Sequence, residues 1–188
     1  MSVRLTLPPT KSIAMIGLMG AGKTAIGRRL ARRIDLPFVD ADDEIERAAG
    51  CSISDIFEIY GEVAFRDVER RVIDRLLEDR PISVISTGGG AFMDPDTRKA
   101  IAGGAISVWL QADLDVLVER TSRRTHRPLL RDGDPATILK GLMDQRYPVY
   151  AEAALTVKSE NCPVERTVDR VITALNGYLV DQVEAAGS

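Results

Sequence analysis

Gly17-Leu18-Met19-Gly20-Ala21-Gly22-Lys23-Thr24 matches the pattern G-x-x-x-x-G-K-[ST], and what flanks it matters as much as the match. Residues 12–17 (SIAMIG) form a short apolar run that reads as a buried strand. Ala25, Ile26 and Leu30 then recur on one side of a helix that begins inside the motif. Small residues at Gly20, Ala21 and Gly22 let backbone N–H groups curl around a phosphate at that helix's N-terminus. The Lys23 ammonium reaches the β- and γ-phosphates of a nucleoside triphosphate, and the Thr24 hydroxyl is a ligand for a Mg2+ ion that bridges them. Strand, loop and helix together predict nucleotide binding. They leave switch, motor and kinase open. A GTPase would be expected to carry Asn-Lys-x-Asp, yet neither Asn161 nor Asn176 is followed by lysine. The length of 188 residues leaves little room for a motor.

Outward from the loop, short β-branched and apolar runs alternate with longer helical patterns, the mark of βαβ units. Residues 12–17, 38–40, 82–86, 105–110 and 154–157 are apolar enough to read as central strands. The expected fold is therefore α/β, a three-layer α/β/α arrangement around a five-stranded parallel sheet. The clearest helix is 63–77, where Val63, Phe65, Val68, Val72, Ile73, Leu76 and Leu77 recur at helical spacing. A further helix at 114–123 runs into TSRRTHRPLLRDGDP at 121–135, whose turn formers and charges read as a mobile lid. The ends, 1–9 and 181–188, are expected to fray. With 45% hydrophobic residues, the chain is one domain's worth of core.

Charge and cysteine content exclude several classes of function. The net charge of −3, from 25 basic and 28 acidic residues, is too balanced for a general grip on nucleic acid or on an anionic membrane. No apolar run approaches the roughly 18 residues that cross a bilayer, and the first nine residues lack the apolar stretch of a secretion signal. A cytoplasmic protein is expected. Cys51 and Cys162 are far apart and lack metal-ligand spacing, so both read as reduced structural thiols.

A kinase also needs an acceptor side. Asp40 and Asp42 close the second strand, where a parallel strand's C-terminal end faces the same crevice as the phosphate loop. One carboxylate there can support Mg2+ through water, and the other can accept a hydroxyl proton. The plainer reading is that Asp42 or Asp43 only caps the next helix. Thr87-Gly88-Gly89-Gly90 follows the third strand. Three consecutive glycines imply unusual dihedrals or backbone that must approach something closely. That strand end carries no aspartate, which leaves Asp40 as the metal-supporting carboxylate. Arg66 and Glu69 share a helix face, so the carboxylate can aim the guanidinium. Arg146 lies in QRYPVY. Singly, such arginines read as surface pairs, but beside the triplet they form a candidate carboxylate clamp. Arg127, in RPLL, can swing over the transferring phosphoryl group, with Arg123, Arg124 and Arg131 competing for that role. His126 reads as a solvated bystander, and Trp109 as core.

GLMGAGKT, the D-A-D pair, FRDVE from Phe65 to Glu69, the GGG triplet, RPLL and RYPVY occur in the order and approximate spacing of the shikimate kinases. The chain resembles that family from about Ile13 to beyond Tyr150. The resemblance implies a P-loop kinase fold like that of the nucleoside monophosphate kinases, with a lid closing over ATP and phosphorylation of the 3-hydroxyl of shikimate on the route to chorismate. It further implies that Asp42, Arg66, Gly89 and Arg146 bind shikimate within a helical region at about 42–78 and beyond. Gly20, Ala21, Gly22, Lys23, Thr24, Ala25 and Arg127 would bind ATP, Thr24 would ligate Mg2+ with Asp40 supporting it through water, and Lys23, Asp42 and Arg127 would be catalytic. A monomer is the family default. Two departures stand out: Ala25 occupies a position where the family often has a second hydroxyl, and 158–161 lacks the arginine or glutamine expected near the adenine. A gluconate-type kinase would share the loop and lid, but F-R-x-x-E with the triplet argues against it. A silent nucleotide-binding module need not retain Lys23, Thr24, Asp42 and Arg127 together.

Overall fold

The computed structural model describes residues 3–78, 81–122 and 133–187. The chain runs β1 (Ser12–Ile16), α1 (Lys23–Arg33), β2 (Phe38–Asp40), α2 (Ala41–Ala49), α3 (Ile53–Glu78), β3 (Val84–Ser86), α4 (Pro95–Gly104), β4 (Ala105–Gln111), α5 (Leu114–Ser122), α6 (Pro135–Tyr150), β5 (Leu155–Lys158) and α7 (Val164–Ala186). The five strands form one sheet in the order β2-β3-β1-β4-β5, parallel throughout. Crossover helices cover it, α1 packing with α7 and α3 with α4. The expected three-layer architecture and all five strands are present.

Burial follows strand position. β1 and β3 are buried at every residue, and β4 at all but its last, because each lies between two neighbours and under helices. The sequence reading had also made 38–40 and 154–157 central. They are instead the two edges, partly exposed as β2 and β5. The main core joins Ile13, Met15, Leu30, Ile106, Val108, Leu110, Val171 and Ile172 across the layers. Trp109 lies in it, edge-on to Tyr147 at 4.9 Å, as expected of a core residue. A second cluster of Ala41, Ile45, Ile56, Phe65, Val72, Leu76 and Ile85 ties α2 and α3 to the β3 side of the sheet.

One helix expectation needed correction. The helix predicted at 63–77 begins ten residues earlier, at Ile53, and breaks at Gly61, whose φ of 79° is left-handed. Near the termini, Val3 N donates to Asp169 Oδ1 and Thr6 N to Asn176 Oδ1, and α7 reaches Ala186. Of the helix predicted at 114–123, Leu114–Ser122 is helical; Arg123 and most of the segment read as a lid, with Arg127 and His126, lie outside the described residues.

Ile172→Ala should cost about 2–5 kcal/mol, because it empties a fully buried site between α7 and the sheet. A fall in the urea midpoint with an unchanged slope checks this.

Candidate active site

Parallel pairing aligns β1, β2 and β3, with Met15 beside Ser86 and Ser86 beside Asp40, so the segments that leave their C-terminal ends meet in one crevice. A cleft of about 720 Å³ opens there, lined by the glycine loop, Asp42, Arg66, Glu69, the glycine triplet and Arg146.

Its first wall is the loop between β1 and α1. Gly22 caps α1 with φ 97°, a left-handed conformation that disfavours any side chain. Among the described residues no side chain caps this helix, which leaves its first N–H groups for a ligand in the cleft. Lys23 Nζ lies across the loop, donating to Gly17 O at 2.7 Å and Leu18 O at 3.2 Å. Thr24 Oγ1 donates to Asp40 Oδ2 at 2.9 Å and lies 3.3 Å from Ser86 Oγ. Hydroxyl, carboxylate and hydroxyl form an oxygen-only donor set that suits a hard cation such as Mg2+, which is commonly held by one or two protein oxygens plus phosphates and waters. Among the described residues no cluster of three His, Cys, Asp or Glu competes for that role.

The second wall is built on missing side chains. A Cβ at Gly88 would lie 2.6 Å from Glu69 Oε1 and 3.2 Å from Asp42 Oδ1; one at Gly90 would lie 2.5 Å from Arg66 Nη2 and 2.7 Å from Cζ. One at Gly89 would lie 3.4 Å from Arg146 Nη1. All three glycines lack positive φ. Close approach is therefore the reason for the triplet, and unusual dihedrals are not. Arg66 Nη1 donates to Glu69 Oε2 at 2.6 Å and Nη2 to Glu62 Oε1 at 3.2 Å, which fixes the guanidinium's aim from two sides. Arg146 Nη1 donates to Gly89 O at 2.9 Å, and Tyr150 OH donates to the same oxygen.

Burial dominates the electrostatics. Loss of water raises the Asp42 carboxyl above its ordinary value, Asp40 reinforces the rise and Lys23 opposes it. Glu69 is 2% exposed, and burial raises it too, outweighing the pull of Arg66. Its Oε1 has no hydrogen-bond partner among the described residues. This buried acceptor lies against the bare backbone of Gly88, beside Asp42.

Of the residues singled out in the sequence, Gly20, Gly22, Lys23, Thr24, Ala25, Asp42, Arg66, Gly89 and Arg146 line this one cleft; Asp40 reaches it through Thr24, and Arg127 lies outside the described residues. Ala21 is part of the loop but buried behind it, 1% exposed. The cap of α2 is Asp40, which accepts from Asp42 N at 3.2 Å, so neither Asp42 nor Asp43 is spent on capping. Along the cleft, sequence reasoning missed Ser86, Glu119, Arg120, Asn161 and Cys162, and behind it Tyr150, which shares Gly89 O with Arg146. The only sequence signal for Ser86 was its place at the end of a strand.

A sequence model of the shikimate kinase family matches residues 19–176. A shikimate kinase of Paramagnetospirillum magneticum is 54% identical over 169 residues, covering 90% of this chain and 86% of that protein. One of Brucella canis is 51% identical over 179 residues, covering 95% and 89%. The solved structure of shikimate kinase from Acinetobacter baumannii in complex with shikimate superposes with a TM-score of 0.82 at 37% identity, covering 89% of this chain and 93% of that one.

Because ionised Asp42 is disfavoured in the folded protein, Asp42→Asn should stabilise it at neutral pH. The gain should shrink as pH falls through the raised folded value and vanish below the ordinary 3.8, where wild-type Asp42 is protonated in both states. Urea unfolding of both proteins across that range measures the difference.

Proposed function

The chain belongs to the shikimate kinase family, and on that footing we propose how its cleft transfers the γ-phosphoryl group of ATP to the 3-hydroxyl of shikimate. The observation that carries this reading is the arrangement of Arg66 and Arg146, braced against Gly90 and Gly89, across one cleft from the phosphate loop. Two guanidinium groups there give a fork-shaped site for the carboxylate of the acceptor. Glu69 holds Arg66 in that aim.

In the ternary complex the N–H groups of Gly22, Lys23 and Thr24 and the Lys23 ammonium take the phosphates of ATP. Ala25, without a second hydroxyl, leaves one contact fewer towards the α-phosphate. Thr24, with Asp40 acting through water, would hold Mg2+, which would supply positive charge to offset that of the phosphates. Asp42 orients the acceptor hydroxyl and takes its proton, a role that suits a carboxyl whose pKa burial has raised. The hydroxyl oxygen bonds to the γ-phosphorus as the bond from phosphorus to the β–γ bridging oxygen breaks, and Lys23 offsets the charge that builds on the departing ADP. We assign Arg127, in the segment read as a lid, to the transferring phosphoryl group. We infer a cytoplasmic monomer, the default of the family.

ADP release from Mg-ATP, measured with shikimate, gluconate, AMP or no acceptor, tests the reading. Only shikimate should drive it. Release with another acceptor, or with none, would overturn the acceptor assignments. Arg66→Ala should raise the KM for shikimate roughly 10- to 150-fold, the loss of about 1.5–3 kcal/mol of charged hydrogen bonding. Lys23→Met should lower kcat about 100- to 1,000-fold while the circular dichroism spectrum stays that of wild type.

A further inference from the structure

Two residues that belong to none of the sequence motifs converge on the phosphate loop: Ser159, buried behind it, and Arg120, which also lines the cleft. Ser159 follows β5 directly, is 1% exposed, and is fixed by its own backbone, its N–H donating to Gln111 O at 2.7 Å. Its hydroxyl donates to Ala21 O at 2.8 Å and accepts from Arg120 Nη1 at 3.0 Å. That same Arg120 nitrogen reaches Gly20 O at 3.2 Å and Ala21 O at 3.4 Å, while Nη2 donates to Glu160 O at 2.6 Å. Two loop carbonyls are thus pulled outward by side chains that lie 99 to 138 residues away in sequence.

The peptide unit turns this outward pull into inward aim. C=O and N–H point in opposite directions across a trans peptide, and no described peptide bond is cis. Holding Ala21 O outward therefore turns the Gly22 N–H towards the cleft that Gly22 lines. The preceding N–H, of Ala21, is already committed to Leu18 O at 3.1 Å. The Gly22 N–H, next along the loop and at the start of α1, is placed to meet a phosphate. Glycine on one side of this peptide makes it easy to rotate, since φ at Gly22 is free to change sign. Without an external hold, part of the binding energy would go into ordering it.

We propose that Ser159, backed by Arg120, is a positioning residue for the phosphoryl donor: it fixes the Ala21–Gly22 peptide unit so that the Gly22 N–H is aimed at the donor's phosphates before ATP arrives. The proposal rests on the nucleotide reading of the loop. It deepens that reading by adding a residue that touches neither substrate.

The test is Mg-ADP titration by calorimetry, with steady-state kinetics in both substrates, on Ser159→Ala and on Ser159→Thr, which keeps the hydroxyl. Ser159→Ala should bind Mg-ADP about tenfold more weakly and raise the KM for ATP to match, with the KM for shikimate unchanged and kcat little altered; Ser159→Thr should recover most of the affinity. A purely structural role predicts a lower melting temperature with Mg-ADP affinity unchanged, and that result overturns the proposal, as does an equal rise in both KM values. If Ser159→Ala does not fold, Ser159→Cys, which keeps the size of the side chain but weakens its hold on Ala21 O, carries the same comparison with the same outcomes. A family reading that failed would appear separately, as wild-type protein that binds Mg-ADP but releases no ADP in response to shikimate.

Discussion

Arg66 can occupy its place in the cleft only because Gly90 has no Cβ: one there would lie 2.5 Å from a guanidinium nitrogen. The same holds for Glu69 against Gly88, whereas Arg146 stands at ordinary contact distance from Gly89. The third strand, just before the triplet, is buried throughout, and a side chain at Gly88 or Gly90 would displace charge from the acceptor wall. Glu69 adds to the constraint. It is 2% exposed, paired to Arg66 at 2.6 Å, and its carboxyl is raised by burial. Removing Arg66 leaves the Glu69 carboxylate buried without its ion-pair partner, whereas Arg66, 30% exposed, keeps Glu62 when Glu69 is lost.

The two walls are built by different means. Backbone supplies the donor wall: a left-handed glycine, an uncapped helix start and outward-held carbonyls. The acceptor wall is made of side chains from α3 and α6, laid against bare backbone. Asp42 and Lys23 stand where the two meet, and the charge of Lys23 bears on Asp42. This division suits the chemistry. Phosphate is recognised by N–H groups at a helix start, a carboxylate by guanidinium forks, and the proton acceptor belongs between them.

Features carried by local sequence were legible. The phosphate loop announced itself by its spacing, the triplet by the cost of three glycines, and the Arg66–Glu69 pair by helical periodicity. Position within the sheet was not legible, because 38–40 and 154–157 are as apolar as central strands although they lie at its edges. The break in α3 left a trace in Gly61, inside EIYGEV, but the apolar spacing from Val63 onward hid the turns before it. The choice of cap could not be read from Asp40-Ala41-Asp42-Asp43, where three carboxylates compete and only the local backbone decides. Ser159 and Arg120 gave no signal at all. Their roles arise from tertiary contacts across about 100 residues or more, and a serine after a strand is ordinary sequence.

The central claim is that bare backbone at the triplet makes the acceptor site, and Gly90→Ala tests it most directly. Steady-state ADP release at varied shikimate and varied ATP is the measurement. The account predicts a rise of about tenfold or more in the KM for shikimate with the KM for ATP unchanged, since the added methyl displaces Arg66 and leaves the phosphate loop alone. An unchanged KM for shikimate, or an equal rise in both constants, would contradict it.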